Sequence, residues 1–241
     1  AFAWVSMVLV LPEWRGRGHA RRLLSAALDD LAGCGLLPVL DATPAGRPVY
    51  LKEGFVDAWT FTRWRRTAGV LSLSPGAGGG WGEGEREGQA GEGVRVEARP
   101  LRDSDWPHIE ALDGPAFGAN RVPLLRQLAG RARQAAWVSE RGLGYLLGRE
   151  GRTALQLGPL VAEDDEVAVA LFSAALAACA DEAARRDIVV DLRDGRGRVA
   201  AWLGGQGFVP ERSFTRMVHG GNGKAPGDAR RVCLVAGPEL G

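Results

Sequence analysis

The sequence predicts an α+β fold, with helices layered on both faces of a mixed sheet and the whole arrangement built twice along one chain. Three observations predict it. Short apolar runs alternate with stretches of helical periodicity, four short landmarks recur in order at a near-constant offset, and a glycine-rich segment separates the two series. The 241 residues are 46% hydrophobic and 24% charged, which is the composition of a packed globular chain. The net charge of +1 excludes a global field for nucleic acid or membrane. Arginine supplies all basic residues except Lys52 and Lys224, without a basic stripe or interleaved aromatics of the nucleic-acid-binding kind.

In the first series, residues 4–11 read as a buried strand. The apolar stretch 1–12 has neither a basic leader nor a small-residue cleavage site, so it is not taken as a signal peptide. Residues 18–31 read as a helix with Leu23, Leu24, Ala27, Leu28 and Leu31 on one stripe. Residues 37–41 read as a strand, 47–53 as a short helix and 59–64 as a strand. Trp4, Trp59 and Trp64 are expected as core or edge-strand aromatics, and Asp41 as a structural group closing its strand. Residues 67–93 hold ten glycines in 27 positions, lose periodicity after Ser74 and read as a flexible linker in which Trp81 is incidental.

The second series, residues 94–241, starts with a strand over 94–99. A helix capped by Asp103 or Ser104 follows, carrying Trp106, Ile109 and Leu112. A helix over 123–131 and strands over 135–140, 143–148 and 154–161 come next, and a final strand is expected over 231–236. The two series share landmarks. Ser25-Ala26-Ala27-Leu28 recurs as Ser173-Ala174-Ala175-Leu176, Asp41 as Asp191, Gly54-Phe55 as Gly207-Phe208, and Phe61-Thr62-Arg63 as Phe214-Thr215-Arg216, at offsets of 148 to 153. Against the second copy the first, residues 1–66, is short by about 55 residues at its front, so a first domain truncated at its N-terminus is expected.

No apolar run reaches the roughly 18 residues of a membrane span. Cys34, Cys179 and Cys233 are far apart and odd in number, and His19, His108 and His219 form no cluster; a reducing, cytoplasmic setting without a metal is expected.

The sharpest motif is Pro12-Glu13-Trp14-Arg15-Gly16-Arg17-Gly18-His19-Ala20-Arg21-Arg22, between a strand and a helix. Unpaired N–H groups and the helix dipole favour an anion there. Gly16 and Gly18 let a phosphate approach the backbone, and Arg15 and Arg17 add charge-assisted donors. The Walker and dinucleotide fingerprints are both absent. His19 reads as a surface residue, and Arg21 and Arg22 read as solvated helix charge more than as ligands.

Arg15-x-x-Gly18-x-Ala20 resembles the acetyl-CoA pyrophosphate loop of the GNAT superfamily of N-acetyltransferases, and Tyr50-Leu51-Lys52-Glu53-Gly54-Phe55 resembles its Tyr-x-x-x-Gly-Phe ending. The whole arrangement is similar to tandem-domain GNAT proteins with a divergent second module. The resemblance implies pyrophosphate on Gly16, Arg17, Gly18, His19, Ala20 and Arg21. It implies pantetheine along residues 7–10, with backbone N–H groups near Val8, Leu9 and Val10 polarising the thioester carbonyl. It implies Tyr50 as general acid to the departing thiolate, and a small-molecule or peptide amine as acceptor. A general base is not identifiable.

The second copy is an internal control. At an offset of 148, residues 15–20 fall on Glu163, Asp164, Asp165, Glu166, Val167 and Ala168, where a pyrophosphate would meet like charge. Tyr50 falls at Trp202, which has no phenol. The second module is therefore expected neither to bind CoA this way nor to catalyse; it would wall the acceptor site or mediate a homodimer. The competing reading for the whole chain is a non-catalytic CoA-binding or interaction protein that retains the paired fold.

Overall fold

The computed structural model describes residues 1–70 and 96–241. Most of the linker segment, Trp81 and the first two residues of the strand expected over 94–99 lie outside the described residues.

The first module runs β1 (Phe2–Trp4), α1 (His19–Gly33), β2 (Leu37–Ala42), α2 (Arg47–Lys52) and β3 (Phe55–Arg66). The second opens with β4 (Ala98–Pro100), α3 (Trp106–Phe117), α4 (Val122–Arg131), β5 (Trp137–Ser139), β6 (Gly144–Glu150) and β7 (Ala154–Ala162). It continues with α5 (Asp165–Ala178), α6 (Ala180–Arg185), β8 (Asp187–Arg193), α7 (Gly197–Gly205), β9 (Val209–His219) and β10 (Val232–Leu234). The alternation expected from periodicity is present in both halves.

Three local expectations need correction. The strand expected over 4–11 ends at Trp4. Val5 N still donates to Val39 O at 2.8 Å, but Met7 turns to φ 58°, and the chain leaves β2 and the ladder that defines a strand. The caps proposed for α3 are not Asp103 or Ser104. Asp105 accepts from Arg102 N at 2.8 Å and holds the Arg99 guanidinium at 2.8 Å, because a 3₁₀ turn over Asp103–Asp105 precedes the helix. On α1, Leu24 is buried and Ala27, Leu28 and Leu31 are half-buried, but Leu23 faces out.

The strands form one ten-stranded mixed sheet in the order β1-β2-β9-β3-β8-β10-β7-β6-β5-β4. The two modules interleave within it. β9 of the second module lies between β2 and β3 of the first, and β3 lies between β9 and β8. Phe61 pairs with Phe214 in that register and their rings stack at 5.0 Å. These are the two copies of the Phe-Thr-Arg landmark, so equivalent strands meet side by side.

Side chains alternate across the sheet as strand geometry requires. On one face Leu155, Leu157, Ile188 and Val190 pack under α5 and α7. On the other, Phe61, Tyr145, Leu147 and Phe214 pack under α3 and α4. A smaller cluster of Leu24, Leu40, Ala42, Phe55 and Met217 seats α1.

Buried ion pairs join the modules across the exchanged strands. Asp41 accepts two bonds from Arg216, at 2.9 and 3.0 Å, with its side chain fully buried. Arg216 in turn lies between the Trp4 and Trp59 rings. Asp191, also fully buried, accepts from Arg63 at 2.8 and 2.7 Å and from Gln156 at 2.9 Å. Burial pushes the Asp41 carboxyl up, and Arg216 opposes that shift. Both aspartates hold the sheet together, as expected from their places at strand ends.

Candidate functional site

A single 3₁₀ turn over Pro12–Trp14 leads from the irregular segment 5–11 into the loop before α1. Gly16 and Gly18 hold φ of 74° and 77°, the left-handed region that glycine enters without a Cβ penalty. Gly18 is the N-cap of α1, and no side chain caps the helix. Arg22 N, donating to Gly18 O at 3.0 Å, makes the first intrahelical bond. The backbone N–H groups of residues 16–21 have no acceptor among the described residues. A Cβ on Gly16 or Gly18 would meet nothing within 4 Å, so the approach to these donors is open. No acid stands in the first turn of α1, and the positive end of its dipole is uncompensated there.

The surrounding side chains define a cavity of about 230 Å³ lined by Val10, Trp14, Arg15, Gly16, Gly18, His19, Ala20, Arg21 and Val49. Arg15 is held by its Nε, which donates to Val10 O at 3.1 Å. Arg17 lies over the Trp14 ring at 4.9 Å, and Trp14 meets His19 edge-on at 5.7 Å. Arg21 pairs with Glu53 at 2.8 Å, which ties the first turn of α1 to the end of α2. Seven of the eleven residues singled out from sequence thus surround one space, and Arg17 flanks it through Trp14.

Val8 and Leu9 lie on the exposed segment beside this cavity but do not line it; Met7, Leu9 and Leu11 are all exposed. Their N–H groups, like that of Val10, have no acceptor among the described residues. Tyr50 does not line the cavity either; its neighbour Val49 does. The Tyr50 ring is half-buried, edge-on to Phe55 at 5.7 Å and packed against the cluster under α1. Burial raises its phenol above the ordinary value, and its hydroxyl has no hydrogen-bond partner among the described residues. Trp14, Val49 and Glu53 were not identified from sequence. Trp14 and Glu53 each sit inside one of the two quoted motifs, whereas Val49 carried no signal.

The second module closes both features that the first leaves open. At the start of α5 the N-cap is Asp164, whose carboxylate accepts from Val167 N at 2.8 Å. Asp165 is held by Arg196 at 2.7 Å and Glu166 by Arg198 at 2.8 Å. The protein's own carboxylates therefore occupy the anion position.

β7 and β8 pair in parallel from Ala154 with Asp187 to Leu157 with Val190, then diverge. β10 fills the wedge: Leu234 faces Leu160 on one side and Leu192 on the other, and Val235 N donates to Asp191 O at 3.0 Å. In the first module β1 and β2 diverge in the same way after Trp4 and Val39, and no strand enters that wedge among the described residues. Trp202, at the place of Tyr50, packs on Phe172 at 5.2 Å.

A mixed sheet with a splayed parallel strand pair, followed by an uncapped glycine-bearing helix N-terminus, defines a class of acyl-group transferases. The chain belongs to the GNAT acetyltransferase family. Residues 109–231 and residues 1–57 each match a family model described as an acetyltransferase (GNAT) domain. The chain is 24% identical over 172 residues to the uncharacterized N-acetyltransferase YitH of Bacillus subtilis (strain 168). That match takes in 70% of this chain and 54% of the relative, so the chain spans about half the length of the curated relative it matches.

Solved structures share the fold at lower identity. A candidate acetyltransferase from Pyrococcus horikoshii superposes with a TM-score of 0.69 at 18% identity, over 99% of this chain and 72% of that one. A tandem GNAT protein from the clavulanic acid biosynthesis pathway gives 0.58 at 14% identity, over 89% and 74%. The chain is a tandem-type GNAT protein.

Proposed function

We propose that the chain transfers an acetyl group from acetyl-CoA to an amine, with the first module as the catalytic one and the second as its structural partner. One observation carries the reading. The two modules share a fold, yet of the equivalent helices α1 and α5 only α1 has an uncapped N-terminus, and among the described residues only the first module's strand wedge is left open. The cavity beside that terminus fits a diphosphate in its donor set: free N–H groups from residue 16 to 21, glycine access, and the guanidinium groups of Arg15 and Arg17.

Acetyl-CoA supplies a thioester whose acetyl group passes to the amine as the thiol departs. The chain's part is positioning and polarisation. The free N–H groups of Val8, Leu9 and Val10 are donors for a pantetheine arm and for the thioester carbonyl. Tyr50, kept protonated by burial, is the proton source for the departing thiolate. The acceptor is a small-molecule or peptide amine, and three unpaired cysteines fit a reducing cytoplasmic setting.

Titration calorimetry of the full chain with acetyl-CoA tests the site. Binding is expected, and Arg15→Glu or Gly18→Glu should abolish it. Tight binding that survives both substitutions overturns the assignment. Acetyl transfer to a broad amine panel tests the reaction; CoA binding without transfer to any amine would favour a non-catalytic CoA-binding protein.

A further inference from the structure

A cavity where the two modules meet holds a buried cation that no anion neutralises among the described residues. Arg66, the last residue of β3, is 5% exposed, and its Nε has no hydrogen-bond partner. The guanidinium lies over the Phe208 ring at 5.5 Å, its one charge-related contact among the described residues. Of the other arginines with an orphan Nε, Arg149 donates through another nitrogen to Gln156 at 2.7 Å and Arg196 to Asp165 at 2.7 Å, whereas Arg193 lies over the Trp59 ring at 6.0 Å. Among the described residues Arg66 donates to no carboxylate, and the Gln206 side chain lines the same cavity. A desolvated guanidinium without an anion is costly, and that cost falls away when an anion arrives. Burial pushes its pKa down, in the direction an unpaired cation shows.

Arg66 lines a cavity of about 400 Å³ between the end of β3, the C-terminal half of α5, and α6. Most of the remaining wall is small and apolar, including Val70, Leu176, Ala177, Ala180 and Ala184; Ser173 and Gln206 add polar side chains, and no carboxylate stands among the described lining residues. Gly69 N donates to Ala183 O at 3.1 Å and pins one side. The volume is within the roughly 300–1,000 Å³ of small-molecule sites. One cation in an apolar pocket of that size selects for one negative charge on a compact apolar body.

We propose that this cavity is a binding site for a small organic monocarboxylate, its carboxylate on Arg66 and its apolar body along the alanine wall of α5 and α6. The site is separate from the CoA loop and does not depend on the proposed acetyl transfer.

Calorimetry of the full chain with octanoate, and in parallel with octanol, tests it. One octanoate per chain is expected, with octanol at least about 10-fold weaker for want of the charge-assisted pair. Arg66→Met should weaken octanoate by about 10- to 100-fold. Its melting temperature without ligand should stay level or rise, because an unpaired buried charge has been removed. Ala180→Phe, which fills the cavity and keeps Arg66, should also lose octanoate. The proposal is overturned if octanol binds as well as octanoate, if Arg66→Met binds octanoate like the parent, or if Arg66→Met melts lower, which would mean the guanidinium is already paired.

Discussion

Asp191→Ala tests whether the two modules are one folding unit. Asp191 is fully buried on β8 and accepts two bonds from Arg63 of the first module and one from Gln156 of the second. Removing it leaves a guanidinium, itself 14% exposed, without its anion, and strands an amide N–H. Breaking one partner of such a buried pair costs about 3–5 kcal/mol. At roughly 2–4 °C per kcal/mol for a chain of this size, the melting temperature should fall by about 6–20 °C. Differential scanning calorimetry reads the shift, and tryptophan fluorescence reads its cooperativity, because Trp59 belongs to the first module and Trp106 to the second. Both should report one transition. Arg63→Met combined with Asp191→Ala should recover most of the loss, since no uncompensated charge remains. A shift of under about 2 °C, within the range of ordinary surface substitutions, would refute the reasoning. So would two separate transitions.

Other outcomes follow from single contacts. Tyr50→Phe should lower acetyl transfer by about 10²- to 10⁴-fold with CoA affinity unchanged. Because burial raises the phenol above 10.0, the parent rate should show no descending limb from Tyr50 below pH 10, which a pH–rate profile checks. Gly118→Ala should cost about 2–4 kcal/mol, because φ is +92° and a Cβ would meet Gly227 N at 2.5 Å and Pro226 Cβ at 2.8 Å. Gly220→Ala, with φ +67° and open space around it, should cost only about 1 kcal/mol, and urea titration of the two variants reads the difference. The Arg99 guanidinium holds the Asp105 carboxyl below its ordinary 3.8. Its stabilisation is therefore present above that value and lost as pH falls through the folded pKa. Asp105→Asn should melt lower than the parent at pH 6, with the difference shrinking below pH 4.

The elements were legible because their signals are local. The Ser-Ala-Ala-Leu recurrence and the apolar periods need only neighbouring residues, and they located α1, α5 and the strands around them. The acidic run at residues 163–166 likewise marked its slot as hostile to an anion; the structure adds that Asp164 caps α5 and that arginines hold Asp165 and Glu166. What escaped was long-range. Nothing in residues 231–236 distinguishes a terminal edge strand from one that wedges between β7 and β8, because the choice depends on where those strands part. The interleaving of β3 and β9 is equally invisible, since Phe61 and Phe214 alternate in the same way whichever neighbour they pair with. Residues 5–11 were misread for the converse reason. Their apolar run satisfies strand propensity, but a strand needs a ladder, and β2 has turned away.

The interleaving explains why a module without an open anion slot stays joined to one that has it. β3 closes the first module's repeat, yet both its sheet neighbours, β8 and β9, belong to the second. β2, which forms one side of the open wedge, is paired with β9 along its other edge from Val39 to Ala42. That edge holds Asp41, locked to Arg216 of the second module. The position of the wedge beside the loop before α1 is therefore set by strands that the second module supplies. Substitutions that fill the second module's own slot leave β8 and β9 intact, and β10 even adds to β8 through Val235 N and Asp191 O. A filled slot in the second copy and support of the first copy's wedge are thus compatible in one sheet. Substitutions at Arg216 or Asp191 should consequently disturb the first module more than substitutions at Glu163 or Glu166.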